Sequence, residues 1–253
     1  MKNIIFIIMT FALLLLHGCN SKNEPENKAN KVVCVLFDLS ETTNTPEIRK
    51  NYLEKFKLIL NFMSSGDAIE AALITEKSLS ELDLSINYEF PIIKPFTDTD
   101  VAERIAKMQT DSIIAFKKDS VLAVADSILF KPKRKILYTE IMGSLQIAER
   151  VFKSFKQPRK ILVIFSDMIE DSRKYNFEKE NLTKKRINKI NKTEKEKNQL
   201  PNLKDVKVYV IGASHPNSDR YNMIRDFWFE YLKACGANIE TQNYGAALIN
   251  FNE

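Results

Sequence analysis

Two short stretches of this chain crowd oxygen donors immediately after apolar runs. In Lys31–Thr43 (KVVCVLFDLSETT) the apolar residues Val32–Phe37 stop at Asp38, and Ser40, Glu41, Thr42 and Thr43 follow. In Ile161–Ser172 (ILVIFSDMIEDS) the run ends at Phe165, and Ser166, Asp167, Glu170, Asp171 and Ser172 follow. A third polar step, Tyr138-Thr139-Glu140, precedes an apolar-periodic segment. Carboxylates mixed with hydroxyls are hard oxygen ligands, suited to a divalent cation that keeps some of its waters. Mg²⁺ is the expected ion, with Mn²⁺ or Ca²⁺ as alternatives. Asp38, Ser40 and Thr42 also suit a strand-to-helix turn that satisfies its own backbone. Thr139 also suits a helix N-cap, and Asp167 a turn carboxylate.

Other chemistries have little to work with. The chain holds two histidines, His17 and His215, and no CxxC or Cys/His cluster, which disfavours zinc. Cys34 sits mid-run as a small core residue. Its pairing with Cys235 is the alternative in an oxidising compartment.

An open α/β sheet would bring such loops together. A short run that is apolar throughout reads as a strand buried on both faces, and ligands bind beyond the carboxyl ends of such strands. Helical periodicity predicts helices over Pro46–Met63 with Thr45 as N-cap, Thr99–Leu129, Glu140–Phe155, Arg220–Ala234 capped by Asp219, and Tyr244–Phe251. The long second helix carries Val101, Ile105, Met108, Ile113, Phe116, Val121, Val124 and Ile128 at apolar positions. Strands are expected at Val32–Phe37, Ala68–Thr75, Ile86–Phe90 (an edge strand beside Pro91), Ile161–Phe165, Val206–Ile211 and Asn238–Gln242. The alternation gives one doubly wound, mostly parallel α/β domain.

Residues 1–18 read as a signal peptide, with Lys2 followed by the apolar stretch Ile4–Leu16. Leu16-His17-Gly18-Cys19 resembles a bacterial lipoprotein signal, which implies lipid on Cys19. Residues 19–30 then form a disordered tether, and 31–253 the folded domain, outside the cytoplasm in the cell envelope. Residues 173–198 carry ten Lys/Arg against four Asp/Glu, a net of +6 in a chain of net +5. They read as an exposed, mobile basic insertion without an apolar face, or as an arm for anionic headgroups. Nucleic acid is not expected as a partner, since no aromatics interleave these charges. The aromatic positions Phe227, Trp228 and Tyr231 read as core packing.

Asp38-Leu39-Ser40-Glu41-Thr42, together with Thr139 and Asp167, resembles the metal-ion-dependent adhesion site of von Willebrand factor A-like domains. The resemblance implies that Ser40, Thr42 and Thr139 ligate the metal directly and that Asp38 and Asp167 act largely through water. It implies a protein partner whose carboxylate completes the coordination, and a binding module rather than an enzyme. Met168 stands where the family often has glycine, and Glu41 adds a carboxylate beside the ligands. A metal-free envelope scaffold with a degenerate site is one alternative. A phosphatase of the haloacid-dehalogenase type is another, disfavoured because Ser40 occupies the place of its second aspartate.

Overall fold

The computed structural model describes residues 29–75, 84–131, 138–247 and 251. The fold is built around strand β1 (Lys31–Asp38), buried along its whole length. It pairs in parallel with β2 (Ala68–Ile74) on one side and β4 (Arg159–Phe165) on the other. A strand flanked on both sides and covered on both faces needs apolar residues at every position. Val32, Cys34 and Leu36 enter one core layer, and Val33, Val35 and Phe37 enter the other.

The six-stranded sheet has the order β3-β2-β1-β4-β5-β6. The edge strand β3 (Leu84–Glu89) is antiparallel to β2. At the other side β5 (Val206–Ile211) and β6 (Asn238–Gly245) continue in parallel. Succession runs outward from β1 in one direction and, from β4, in the other. The carboxyl ends of β1 and β4 therefore flank the topological switch point, where open α/β sheets bind ligands. The architecture is the doubly wound, mostly parallel one expected, consistent with a von Willebrand factor A-like or Rossmann-like fold.

Helices α1 (Pro46–Asn61) and α2 (Asp100–Phe130) cover one face. Helices α3 (Ile141–Ser154), α4 (Lys184–Glu196) and α5 (Ser218–Ala234) contribute to the core on the other. Thr45 caps α1, its hydroxyl accepting from the Ile48 N–H (3.3 Å), and Thr99 caps α2 in the same way (3.3 Å). Because α3 leads into the start of β4, its N-terminus lies at the edge where β1 and β4 end.

Several expectations change. Helix α2 buries a line of smaller residues, Ala102, Ala106, Thr110, Ile114, Val121, Ala125 and Leu129, while Val101, Ile105, Met108, Ile113, Phe116 and Val124 face solvent. Asn217 caps α5, its side-chain carbonyl accepting from the Arg220 N–H (2.9 Å), and Asp219 sits in the first turn. The expected last helix gives way to a longer β6: Tyr244 and Gly245 pair with Val210 and Ile211. The remainder of that helix lies mostly outside the described residues, with Phe251 buried against Tyr209.

The basic segment is not a solvated excursion. Tyr175, Phe177, Leu182, Ile187 and Ile190 are buried in the core layer of β1's even-numbered residues. Phe177 stacks edge-on to Phe227 at 4.4 Å between ring centres. Its lysines surround an apolar face that the charge count conceals. The expected tether also ends within the fold, since Asn30 donates from Nδ2 to the Ser65 carbonyl (2.7 Å). Cys34 and Cys235 are both buried and unpaired. The signal peptide and Cys19 lie outside the described residues. Among those described, no helix is long and apolar enough to cross a membrane.

Candidate metal centre

Asp38 is the last residue of β1, and the chain must turn directly after it. Its Oδ1 accepts from the Ser40 N–H (2.9 Å), an aspartate turn that folds the chain back over its own carboxylate. The Thr43 hydroxyl closes the loop by donating to the carbonyls of Asp38 (2.9 Å) and Ser40 (3.2 Å). Held in this way, the Ser40 and Thr42 hydroxyl oxygens lie 3.1 Å apart.

The end of β4 supplies the other half. Ser166 donates from its hydroxyl to Asp38 Oδ2 (2.7 Å), so both oxygens of this fully buried carboxylate accept hydrogen bonds. Asp167 accepts the Ile169 N–H at Oδ1 (3.0 Å) and a hydrogen bond from Thr42. The β1 and β4 loops are thus joined twice, by Ser166–Asp38 and by Thr42–Asp167. Between them, Met168 adopts φ +67°, the left-handed conformation that glycine takes freely. Its N–H donates to the Ser166 hydroxyl (2.9 Å), and its carbonyl accepts from Trp228 Nε1 (2.8 Å).

Burial pushes the Asp38 carboxyl up to about 7, and the nearby Asp167 charge pushes the same way, against the hydrogen bonds from Ser166 and Ser40. Burial also raises Asp167, with Glu178 adding to the rise, while Thr42, the Ile169 N–H and His215 lower it. No lysine or arginine among the described residues forms an ion pair with either aspartate. Two carboxylates held close in a low dielectric without a cation carry a mutual repulsion that a divalent ion would relieve.

Thr139 belongs to the third loop. Its backbone forms a two-bond ladder with Asp171, N–H to carbonyl in both directions (2.9 and 3.0 Å). This places it at the same sheet edge, beside the segment that follows β4. Its buried hydroxyl makes no hydrogen bond to Asp38, Ser40, Thr42 or Asp167. Nor is Thr139 the helix cap: Glu140 holds that position without a side-chain cap bond. The buried Glu170 carboxyl group caps from across the gap, an oxygen accepting the Met142 N–H (3.1 Å). Glu41, the extra carboxylate, is exposed.

Four residues outside the expected ligand set shape the site. Ser166 anchors Asp38, and its position directly after the strand was the available signal. Burial raises the phenol of Tyr52 from α1, and the charges of Asp38 and Asp167 add to the rise. His215 and Glu178 pair at 3.3 Å beside Asp167. Nothing in the spacing of these last three marked them.

Among the described residues, no cluster of three or more His, Cys, Asp and Glu is arranged to hold a metal. The oxygen set here is of another kind, two carboxylates and two hydroxyls. Adjacent ligands of an octahedral Mg²⁺ at 2.0–2.1 Å stand about 2.9 Å apart. The Ser40–Thr42 separation of 3.1 Å, a hydrogen bond between the two hydroxyls, is compatible with that spacing.

No family model and no curated protein matches this sequence. Solved structures do. The chain is similar to a D319A mutant of the PilB minor pilin from Streptococcus sanguinis. The TM-score is 0.50 at 10% identity, over 86% of this chain and 58% of that one. A von Willebrand factor type A structure from Catenulispora acidiphila matches with a TM-score of 0.35 at 11% identity, over 82% of this chain and 43% of that one. The chain thus spans less than two thirds of either matched structure. At 10% identity the likeness to the minor pilin is one of fold alone.

Proposed function

We propose that this chain is a von Willebrand factor A-like binding module that docks a protein partner through a Mg²⁺-type ion. Ser40 and Thr42 would ligate the ion directly. Asp38 and Asp167 would hold it largely through water, and Thr139 would reach it from the third loop. The observation that supports this is the joined pair of loops at the switch point, with two hydroxyls at ligand spacing between two close carboxylates. Neutral hydroxyl ligands leave a divalent ion under-neutralised, so a carboxylate from a partner is the natural completing ligand. The module would stand in the bacterial envelope, held to a membrane by lipid on Cys19.

Asp167→Ala tests the site. Mg²⁺ or Mn²⁺ in the millimolar range should raise the melting temperature of the parent chain by several degrees, since an ion at 100 times its Kd adds about 2.7 kcal/mol. The variant should lose that shift, and it should lose chelator-sensitive capture of the partner from native membranes. Equal melting and capture with and without chelator would refute the reading. That result would favour the metal-free scaffold, which has support of its own because protein donors already occupy both Asp38 oxygens. Labelling with a radioactive fatty acid, abolished by Cys19→Ala, tests the anchor.

A further inference from the structure

Helix α2 presents an apolar face directly away from its buried one. Val101, Ile105, Met108 and Phe116 recur at helical spacing and are 65%, 40%, 70% and 68% exposed. Together these side chains offer an exposed apolar patch on the order of 300–600 Å². That is the size of the largest patch on a typical monomer, where such patches are often functional.

Charge says what covers it. Asp100, Arg104, Asp111 and Lys118 follow one another at intervals of 4, 7 and 7 residues, which keeps them along one flank of the stripe. Their signs run minus, plus, minus, plus. When two copies of a helix pack antiparallel about a two-fold axis, each flank meets its own counterpart in reverse order. With the axis near Met108, Arg104 meets Asp111, a pair formed twice, while Lys118, at the height of Asp100, is turned towards its own chain and donates from Nζ to the Asn61 carbonyl (3.3 Å). In the same register Val101 meets Phe116, and Ile105 meets the small Ser112. In a parallel pair each flank would instead lie across from the opposite flank, and Arg104 and Asp111 would not face each other. The stripe together with its charged flank approaches the ~800 Å² per partner of a standard interface.

We infer that the chain forms an antiparallel dimer through α2, with the two Met108 side chains at the two-fold axis. This surface is separate from the metal centre and independent of it.

Sedimentation velocity on the full chain in detergent, at tens of micromolar, should show a dimer that chelator does not disturb. Phe116→Asp should give a monomer with unchanged circular dichroism, because Phe116 contributes little to the core. Arg104→Asp and Asp111→Arg should each raise the dissociation constant at least tenfold. The double variant Arg104→Asp/Asp111→Arg should restore the dimer, an outcome that misfolding cannot mimic. A monomeric parent chain would overturn the inference. So would a dimer indifferent to Phe116→Asp, a charge swap without rescue, or a monomer that binds lipid vesicles through this face.

Discussion

Replacing Glu170 by glutamine should flatten the pH dependence of this domain's stability. Glu170 is 1% exposed, and burial pushes its carboxyl from 4.5 up to about 8, against hydrogen bonds from the Met142 and Ile141 N–H groups and from Ser172. Below about 4.5 the group is protonated in the folded and unfolded chains alike, and the fold holds its full contribution. Between about 4.5 and about 8 the unfolded chain releases the proton while the folded chain keeps it. Stability therefore falls as pH rises, by about 1.4 kcal/mol per unit. Above about 8 both forms are ionised and the loss levels off. From pH 5 to pH 7.5 the loss is on the order of 3 kcal/mol. Glutamine keeps a carbonyl to accept the Met142 N–H, and its amide can donate to the Ser172 hydroxyl. It has no proton to lose. Urea unfolding, followed by the fluorescence of the single tryptophan, Trp228, reads the stability at each pH. Asp38, with its own raised carboxyl, is common to both proteins and cancels in the difference. The parent chain should lose stability steadily relative to Glu170→Gln across this interval. Parallel pH profiles would refute the assignment of a buried, neutral carboxyl to this cap.

Asp67→Ala should cost about 3–5 kcal/mol, because it strands a buried charge. Asp67 accepts from the Lys31 N–H (2.9 Å), Lys31 Nζ (2.7 Å), the Ser64 N–H (2.8 Å) and the Ser64 hydroxyl (3.0 Å), and the Lys31 side chain is 4% exposed. A loss under about 1 kcal/mol in chemical denaturation would contradict this, and Lys31→Met/Asp67→Leu should recover much of the deficit. Gly212→Ala should cost about 1–3 kcal/mol. Gly212 sits at φ +101°, and a Cβ there would stand 2.7 Å from the Tyr52 hydroxyl and 3.2 Å from the Ser166 carbonyl. The displaced Ser166 would loosen its hold on Asp38, and an unchanged melting temperature would show that the turn tolerates a side chain.

Burial on both faces made the central strands legible. Val32–Phe37 and Ile161–Phe165 are apolar at every position, and runs of that length read as strands buried on both faces. Helix α2 shows what periodicity hides. Val101, Ile105, Met108 and Phe116 form the most apolar line on it, yet the buried line is the one with Ala102, Ala106 and Ala125, where small side chains let backbones approach closely. Hydrophobicity alone does not say which of two faces meets the core. The segment 173–198 hides its packing in the opposite way. Ten basic residues outweigh Ile187 and Ile190, although their spacing of three marks one helical face. The last helix was misread because Tyr244-Gly-Ala-Ala-Leu-Ile favours no strand by itself. Its pairing with Val210 and Ile211 exists only once β5 is in place.

At the candidate site, residue type and position after a strand singled out Asp38, Ser40, Thr42 and Asp167, because a chain leaving a buried strand must bond its own polar groups. By its resemblance alone Met168 argues for a decayed site, since glycine would reach the left-handed turn at no steric cost. The structure reaches φ +67° with methionine instead. The left-handed conformation costs a side-chain-bearing residue roughly 1–2 kcal/mol. Full burial of the Met168 side chain and the Trp228 N–H on its carbonyl offset that cost. The second of these comes from α5, sixty residues further along the chain. A dipeptide such as Asp167-Met168 therefore cannot reveal whether its turn is intact. The absence of glycine removes a local route to the conformation, and long-range packing supplies another.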